Sequence, residues 1–298
     1  MRIGTRASAL ALAQAGQVAE LLGGCELVPV TTSGDRGASD LDKSRWVLEL
    51  EHALRDGSID IAVHSAKDVP TDPSEGLELI ATPQRAQAAD AICGAAGLAA
   101  LPPGARVGTS SLRRRAQLLA ERDDLDVVAM RGNVDTRLRK LDDRADGVGA
   151  IVLAHAGLER LGLASRAAGT LDPERFVPAP GQGALAIQGR AGDERVRAAV
   201  AAIGDEDTFA CLRAERALAH ELQASCDTPL GCWATRAGET MRLLGWLGLP
   251  DGSAWIRDEL TGDAREPEAL GGAVAGRMRA AGAVELLARA GEMARVGS

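Results

Sequence analysis

Two short segments combine small hydroxyl residues with arginine at the point where a strand turns into a helix. Residues 3–8 read IGTRAS and residues 107–114 read VGTSSLRR. The first backbone N–H groups of a helix have no partner inside the helix and carry partial positive charge, so such turns bind carboxylates or phosphates. Arginine adds a planar fork that suits carboxylate. Plain N-capping explains one such turn, whereas two turns, each with arginine, predict an anion-binding cleft.

A third turn of this kind lies at residues 131–137, which read RGNVDTR. Gly132 lets the backbone come close to a ligand, and arginines flank it on both sides. Ligands in open α/β sheets lie at the carboxyl ends of strands, and all three turns occupy that position. Residues 106–140 hold nine Arg and Lys against five Asp and Glu. A solvated helix face explains such an excess, and so does a small polyanionic ligand.

Asp68 and Cys226 are the two side chains outside these turns that could take part in a reaction. Asp68 follows a strand end, where a carboxylate caps a helix, forms a surface ion pair, or stabilises a cationic intermediate in a partly dry cleft. Cys226 lies on a polar loop, with no histidine neighbour to activate it as an acyl-transfer nucleophile. A metal site with His220 and Cys232 would match no usual zinc spacing and would lack a fourth ligand. We therefore expect no metal.

Short β-rich runs alternate with helical stretches through the first two-thirds of the chain. Strands are predicted at residues 2–5, 26–31, 59–64, 106–108, 126–130, 150–153 and 184–188, and helices at 9–22, 45–55, 112–122, 157–161 and 207–222, with another from 133 through 139. This alternation predicts parallel sheets with helices packed on them. The Pro/Gly segment 178–183 is a hinge, and the strand after it could return to the first sheet. Strands at 242–247 and 254–259 and a helical region from residue 266 predict a small α+β unit.

Composition excludes several classes of protein. The net charge of −8 and the pI of about 5.2 argue against general binding to nucleic acid or acidic membranes. Five scattered cysteines in 298 residues are typical of a reducing cytosol. The sequence has no uninterrupted apolar run of the ~18 residues that a transmembrane helix needs. We expect a cytoplasmic protein, and the residues alone predict an α/β cleft protein for a small polycarboxylate without naming a reaction.

The longer motifs resemble those of hydroxymethylbilane synthases, also called porphobilinogen deaminases. The matching segments, in the family's order, are residues 4–8, 60–70 (DIAVHSAKDVP), 107–114, 131–133, 181–184 (GQGA) and 226–231 (CDTPLG). They span nearly the whole chain, and the second and third are long enough to be specific.

This resemblance implies a transferase that condenses four porphobilinogen molecules into a linear tetrapyrrole of porphyrin and heme biosynthesis. It also implies one covalent dipyrromethane cofactor per chain, joined by a thioether to Cys226. Asp68 matches the family's catalytic aspartate, which stabilises the positive charge of the azafulvene intermediate. The small-molecule substrate is the expected partner, with no nucleic acid, no membrane and a monomeric chain.

The family's ligand-contacting positions can be carried over residue by residue. The residues implied to bind the cofactor, besides Cys226, are Ser65, Lys67, Thr109, Ser110, Ser111, Arg113, Arg114, Arg131 and Gly132. The residues implied to bind substrate are Arg6, Ser8, Arg137, Arg160 and Gln182. Such a set would explain the basic run, because the pyrrole chain carries about two carboxylates per ring that arginine can neutralise.

The implied fold has two domains like type II periplasmic binding proteins, with the cleft between them, and a small α+β third domain. The expected boundaries are 1–84 with 184–202, then 85–183, then 203–298. Residues 36–45 are shorter than the family's loop over the cleft, and Trp46 replaces a Phe. Ser225 replaces a Gly, Cys232 is an additional thiol, and His155 stands where a small apolar residue is usual.

Two other classes of protein share this architecture. A non-catalytic binding protein of the same fold would need no cysteine in a third domain. A phosphoribosyltransferase would need a pyrophosphate loop, which is not found in the sequence. Fold analogy alone leaves both open, and Asp68 and Cys226 favour the synthase.

Overall fold

The computed structural model describes residues 1–30, 45–72, 74–225 and 227–296. Cys226 and most of the shortened segment 36–45 lie outside the described residues. The helices are α1 (Ala9–Leu21), α2 (Arg45–Arg55), α3 (Leu112–Glu121), α4 (Val134–Asp142), α5 (His155–Arg160), α6 (Glu194–Ala201), α7 (Glu206–Glu221), α8 (Pro267–Ala280) and α9 (Ala283–Val296). None of the helices in this part of the chain is both long enough and apolar enough to cross a membrane.

The strands form three separate sheets. They are β1 (Arg2–Arg6), β2 (Glu26–Val30), β3 (Ile61–Ser65), β4 (Leu77–Ala81), β5 (Asp90–Cys93), β6 (Arg106–Gly108), β7 (Asp126–Val128), β8 (Ala150–Ala154), β9 (Gly169–Thr170), β10 (Leu185–Arg190), β11 (Leu230–Ala237), β12 (Thr240–Gly248) and β13 (Trp255–Asp263). The sheet orders are β2-β1-β3-β10-β4, β7-β6-β8-β5-β9 and β11-β12-β13. Two α/β units and an α+β unit confirm the predicted fold class, while the domain boundaries stay a prediction.

The expectation of parallel sheets is wrong for one inserted strand in each of the first two sheets. β10 runs antiparallel to β3, with Leu185 opposite Ser65, and β5 runs antiparallel to β8, with Asp90 opposite Ala154. Each follows a segment that crosses between the two sheets. The first crossing segment, residues 82–89, leads into β5, and the second crossing segment, residues 178–184, leads into β10. The chain therefore enters each sheet at the end of the strand beside it, so the new strand runs back antiparallel to that neighbour. A parallel strand would instead need a crossover connection to the opposite edge of the sheet.

Apolar side chains from the sheets and helices form the cores of the units. In the first unit Ile3, Val18 and Ile187 pack together from β1, α1 and β10. Ile3 and Ile187 are fully buried, and burying an isoleucine contributes roughly 1.5–3 kcal/mol relative to exposing it. Because the core of this unit includes β10, the chain beyond the second crossing segment completes the first sheet.

The third unit packs helices α7 and α8 against one antiparallel sheet. Leu218, Met241, Leu243 and Val274 are fully buried between them. The sequence predicts strands β12 and β13 but misses β11. β11 begins four residues beyond Cys226, at the end of the segment matched as a family motif, and the sequence pattern predicts no element there.

The buried carboxylate of Glu215 joins the third unit to both crossing segments. Its Oε1 lies 2.6 Å from Arg85 Nη1, in the first crossing segment. The Gly181 N–H, in the second crossing segment, donates to Oε2 at 2.6 Å, and the Ala234 N–H of β11 donates to Oε1 at 2.8 Å. Glu215 is fully buried, so these donors replace the water that the charge loses on folding.

Glu215→Gln should therefore lower the free energy of unfolding by about 3–5 kcal/mol, because it leaves Arg85 buried without its counter-charge. Urea unfolding followed by circular dichroism measures this loss. The matched control is Glu268→Gln, which removes an exposed pair with Arg213 and should cost no more than about 1 kcal/mol. Equal losses in the two variants would contradict a special role for Glu215.

Candidate functional site

The two predicted hydroxyl caps are confirmed at the carboxyl ends of β1 and β6. Ser8 Oγ accepts the Ala11 N–H at 3.3 Å, and Ser111 Oγ accepts the Arg114 N–H at 3.4 Å. Each cap satisfies one of the N–H groups that open α1 and α3. The remaining N–H groups of those first turns supply the partial positive charge that suits an anion.

Asp68 lies on a short 3₁₀ turn, Ala66–Asp68, that directly follows β3 and is called the Asp68 turn below. Asp68 and Lys67 are half-buried. Ser65, at the end of β3, accepts a hydrogen bond from Gln14 Nε2 at 2.7 Å, which ties the start of the turn to α1. The second crossing segment packs on the other side. Gly181 has φ +73°, and a Cβ there would lie 3.0 Å from the Ala66 carbonyl carbon and the Lys67 nitrogen.

A neutral histidine lies beside the Asp68 turn. The Gln188 amide donates from Nε2 to Glu51 Oε1 at 3.1 Å, which turns its oxygen towards His64. An amide oxygen can only accept, so His64 Nε2 donates to Gln188 Oε1 at 3.0 Å. Burial lowers the pKa of His64 to about 4, against the opposing effects of Gln188 and the nearby carboxylates. The charges of Asp68 and Arg6 both act on this imidazole. The site therefore contains an uncharged ring beside Asp68 in place of a competing cation.

Arg113 and Arg114, predicted as forks for ligand carboxylates, bind a carboxylate of the protein itself. Arg113 Nη2 lies 2.7 Å from Asp90 Oδ2, and Arg114 Nη2 lies 2.7 Å from Asp90 Oδ1. All three side chains are buried. Although burial raises the pKa of Asp90, the two guanidinium groups outweigh it and lower that pKa to about 2. Two buried cations therefore face one buried anion, which leaves a net positive charge at the start of α3.

Gln182, in the second crossing segment, completes this buried cluster. Its Nε2 donates to the Ala88 carbonyl at 2.7 Å and to Asp90 Oδ1 at 3.0 Å. Among the described residues, Gln182 Oε1 and Arg113 Nε are buried polar atoms without a hydrogen-bond partner. A buried unsatisfied group costs about 1–3 kcal/mol. The open donor and the excess positive charge fit an anionic group bound beside this cluster.

The third predicted turn is exposed and forms a separate group. Gly132 has φ +121°, and its carbonyl accepts a hydrogen bond from Arg137 Nε at 2.6 Å. Arg131 is exposed, as are Gly132 and Ser110, whereas Thr109 is buried. Ser110 and Arg131 therefore offer accessible donors on the second unit.

Arg160 lies at the junction of the two α/β units. Its Nη2 donates to the Gly183 carbonyl at 2.8 Å, and its Nε lies 3.4 Å from Gln17 Oε1 on α1. Burial lowers the pKa of this guanidinium, with Glu159 opposing the shift. In the described part of the chain no carboxylate lies within 4.0 Å of it. Arg160 thus holds the hinge and retains an uncompensated charge.

Several residues that organise the site were missed from the sequence. Asp90, Arg85 and Glu215 make the buried charge contacts, and none of the three is among the predicted site residues. An aspartate that begins a fully buried strand is the one available signal, because such a charge needs partners. For His155, the structure shows Nδ1 at 3.2 Å from Glu159 Oε1, one turn along α5.

Three of the four described cysteines are buried in surroundings that disfavour a reactive thiolate. Cys93, Cys211 and Cys232 are buried, whereas Cys25 is partly exposed. Burial raises the pKa of Cys93 and of Cys211 to about 11, and raises that of Cys232 well above its usual range. No group of three or more His, Cys, Asp or Glu within the described ranges could hold a metal ion.

Comparison with known proteins covers both parts of the chain. Residues 1–198 match the family model described as porphobilinogen deaminase, dipyromethane cofactor binding domain, and residues 209–280 match porphobilinogen deaminase, C-terminal domain. A curated porphobilinogen deaminase from Pelobacter propionicus is 45% identical over 299 residues, covering 96% of each chain. One from Thermus thermophilus is 45% identical over 297 residues, covering 96% of this chain and 98% of the relative.

Solved structures resemble the chain more distantly. The periplasmic VFT2 domain of Bordetella pertussis BvgS is 16% identical and covers 68% of this chain and 86% of its own, with a TM-score of 0.39. A marine metagenome TRAP solute binding protein is 12% identical and covers 97% of this chain and 98% of its own, with a TM-score of 0.38.

Asp90→Asn should lower the free energy of unfolding at neutral pH by about 3–5 kcal/mol, because it leaves two guanidinium groups buried without an anion. The pKa of Asp90 falls from 3.8 to about 2 on folding. Its stabilisation is therefore full above about pH 5 and is lost progressively as the pH falls towards 2.

The difference in unfolding free energy between wild type and Asp90→Asn should consequently shrink across that window, as measured by urea unfolding at several pH values. Asp126→Asn is the control, since Asp126 pairs with Arg106 at the surface. A difference that stayed constant from pH 6 to pH 2 would show that the charge of Asp90 is not what stabilises the cluster.

Proposed function

The chain belongs to the porphobilinogen deaminase family, and on that premise we propose that Asp68 is its catalytic carboxylate and Cys226 the attachment point of its cofactor. The activity is that of a hydroxymethylbilane synthase, a transferase that acts on porphobilinogen and carries a dipyrromethane cofactor. The alternative of a non-catalytic binding protein is not favoured. The monomeric state and the cytoplasmic location stay predictions.

The reaction sets the demands on the protein. At each addition the C–N bond of the porphobilinogen aminomethyl group breaks and ammonia leaves, so positive charge develops on the pyrrole. A C–C bond then forms to the neighbouring ring, and the attacked carbon loses its proton. After four additions water cleaves the C–C bond that joins the first substrate unit, so that its hydroxyl group goes to the released tetrapyrrole and its remaining proton to the ring carbon left behind. The protein must therefore stabilise a transient cation, move protons and hold many carboxylates.

Asp68 meets the first demand through its position, and this observation carries the proposal. It lies at the carboxyl end of β3, on a turn fixed by Ser65 on one side and Gly181 on the other. A preorganised carboxylate in a partly dry site stabilises developing positive charge without reorganising at the moment of reaction. The neutral His64 adds no opposing charge. We infer that Asp68 stabilises the cationic pyrrole and accepts hydrogen bonds from pyrrole N–H groups.

The residues around the start of α3 fit a dipyrromethane. When bound, this group supplies the pyrrole carbon to which the first substrate unit is joined. The buried cluster of Asp90, Arg113 and Arg114 has excess positive charge and an open donor at Arg113 Nε. We propose that this cluster attracts cofactor carboxylates, with direct hydrogen bonds from more accessible donors. Those donors are Ser65, Lys67, Ser110, Ser111, Arg131 and Gly132, with the buried Thr109 supporting their turn.

Cys226 is proposed as the thioether residue from its place in the family motif. The state of the other cysteines supports this assignment. Cys93, Cys211 and Cys232 are buried with raised thiol pKa values, so they are poor nucleophiles. For substrate carboxylates we propose Arg6, Ser8, Arg137 and Arg160, with Gln182 holding the second crossing segment.

The purified protein should be heavier than its sequence by two pyrrole units, and the added mass should lie on the peptide that contains Cys226. Cys226→Ser should fold, lack that mass and make no tetrapyrrole, as intact-protein and peptide mass spectrometry would show. Cys25→Ser is the control and should keep the added mass, although Cys25 is the more accessible of the described thiols. Added mass at any other cysteine would refute the assignment.

Asp68→Asn should keep the added mass but turn over at least about a hundredfold more slowly, equivalent to ~2.7 kcal/mol of barrier. The amide preserves shape and hydrogen-bond acceptance but lacks the negative charge that stabilises the cation. Asp68→Glu restores the charge with imperfect placement and should lose less.

Single-turnover rates and the masses of bound intermediates provide the comparison. Asp126→Asn is the control, since Asp126 is an exposed carboxylate of the second unit that pairs with Arg106. Wild-type turnover by Asp68→Asn would mean that another carboxylate stabilises the cation.

A further inference from the structure

The backbone that follows Asp68 is held by one arginine of the third unit. Arg216, on α7, donates from Nη1 to the Val69 carbonyl at 3.2 Å. Its Nη2 donates to the Pro70 carbonyl at 2.7 Å and to the Thr71 carbonyl at 3.2 Å. One guanidinium group thus binds three consecutive carbonyls, beginning with the residue after Asp68. Within the described residues no carboxylate lies within 4.0 Å of it, so these carbonyls are its main partners.

The rest of α7 reinforces this contact. Phe209 and Leu212 pack in the apolar cluster that includes Ala66 and Val69, and His220 Nε2 lies 3.3 Å from Asp72 Oδ1. The helix residues in these contacts are spaced three, seven and eleven positions from Phe209. That spacing places them on one face of a helix. One face of α7 therefore follows the chain from the Asp68 turn to Asp72.

Arginine is the side chain suited to this task. Residues 69–71 belong to no helix or strand, so their carbonyls lack the partners that a ladder would provide, and Pro70 has no N–H of its own. A planar guanidinium has five N–H donors in fixed directions and can reach several carbonyls at once, whereas a lysine ammonium is a flexible point charge. Arg216 thus fixes the direction in which the backbone leaves Asp68.

We propose that Arg216 is a positioning residue for Asp68, fixing the backbone that follows the catalytic carboxylate against α7. This inference rests on the proposed roles of Asp68 and Cys226. It follows from the place of Arg216 on α7, which ends at Glu221, five residues before Cys226 in the sequence. The hydrogen bonds to residues 69–71 therefore tie the backbone after Asp68 to the helix that precedes Cys226 in the sequence.

A purely structural role for Arg216 predicts something different. In that case Arg216→Gln would lower the free energy of unfolding, as expected for Glu215→Gln, but its folded molecules would react at the normal rate. A positioning role predicts slow chemistry in molecules that are folded and carry the cofactor. It also predicts that residues 66–72 loosen locally without global unfolding, because the hydrogen bonds of the Arg216 guanidinium go to residues 69–71, directly after the Asp68 turn.

The test compares Arg216→Gln and Arg216→Lys with the control Arg213→Gln. Arg213 lies three residues earlier on the same helix, is exposed, and pairs with Glu268. Three quantities are measured in each protein: the fraction carrying the two-pyrrole mass, the single-turnover rate of that fraction, and amide hydrogen exchange in peptides covering residues 66–72.

We expect Arg216→Gln to retain the two-pyrrole mass, to react roughly tenfold to a hundredfold more slowly, and to exchange faster in residues 66–72. Arg216→Lys should lie between Gln and wild type, and Arg213→Gln should match wild type. In Arg216→Ala, added guanidinium ion at non-denaturing concentration should restore part of the rate.

Wild-type rate and exchange in Arg216→Gln would overturn the proposal, as would an equal loss of rate in Arg213→Gln. If Arg216→Gln did not fold, Arg216→Lys with normal rate and exchange would overturn it equally well. Failure of this inference is distinguishable from failure of the proposed function. A slow Asp68→Asn beside a normal Arg216→Gln would reject only the positioning role, whereas a normal Asp68→Asn would reject the assignment of Asp68 itself.

Discussion

The burial of two carboxylates, Asp90 and Glu215, constrains the rest of the structure. A buried carboxylate without partners costs several kcal/mol, so each must draw cations and N–H donors to itself. Asp90 takes two arginines from α3 and the Gln182 amide from the second crossing segment. Glu215 takes Arg85 from the first crossing segment, and Arg85 Nε also donates to the Gln182 carbonyl at 2.8 Å. The two carboxylates are thus linked through both crossing segments, which fixes how the three units join.

The same network reaches the Asp68 turn. Glu215 accepts the Gly181 N–H, and Gly181 packs directly on Ala66 at the start of that turn. The next residue of α7, Arg216, holds the chain immediately after the turn. Two adjacent residues of one helix therefore support the turn from both ends. Rigid support of this kind matters because a misplacement of about 1 Å can cost a hundredfold in rate.

Local features of the fold were predictable, and features that depend on distant partners were not. Helix Arg45–Arg55 and the caps Ser8 and Ser111 follow from apolar spacing and hydroxyl chemistry within a few residues. The direction of β10 depends on where a crossing segment enters the sheet, which periodicity does not encode. The interpretation of Arg113 and Arg114 as ligand forks likewise lacked their partner Asp90, which lies 23 and 24 positions earlier in the chain. The proposed roles of Asp68 and Cys226 come from the family motifs, since no local physical signal distinguishes a catalytic aspartate from a capping one.

The excess of arginine and lysine at residues 106–140 overstates the number of cations that are available to a ligand. The cations of this run that bind acceptors within the protein are Arg106, Arg113, Arg114, Arg115, Arg122, Arg137 and Lys140. Arg131 and Arg139 are exposed, and their guanidinium groups make no hydrogen bond to any described residue. A ligand carboxylate at this run would therefore meet fewer available cations than the sequence suggests, and the N–H groups that open α3 and α4 would supply part of its hydrogen bonding. Neutral donors contribute about 0.5–1.5 kcal/mol each, against about 1.5–3 kcal/mol for charged ones. Weaker contacts of this kind suit a pyrrole chain that must lengthen in place and then be released.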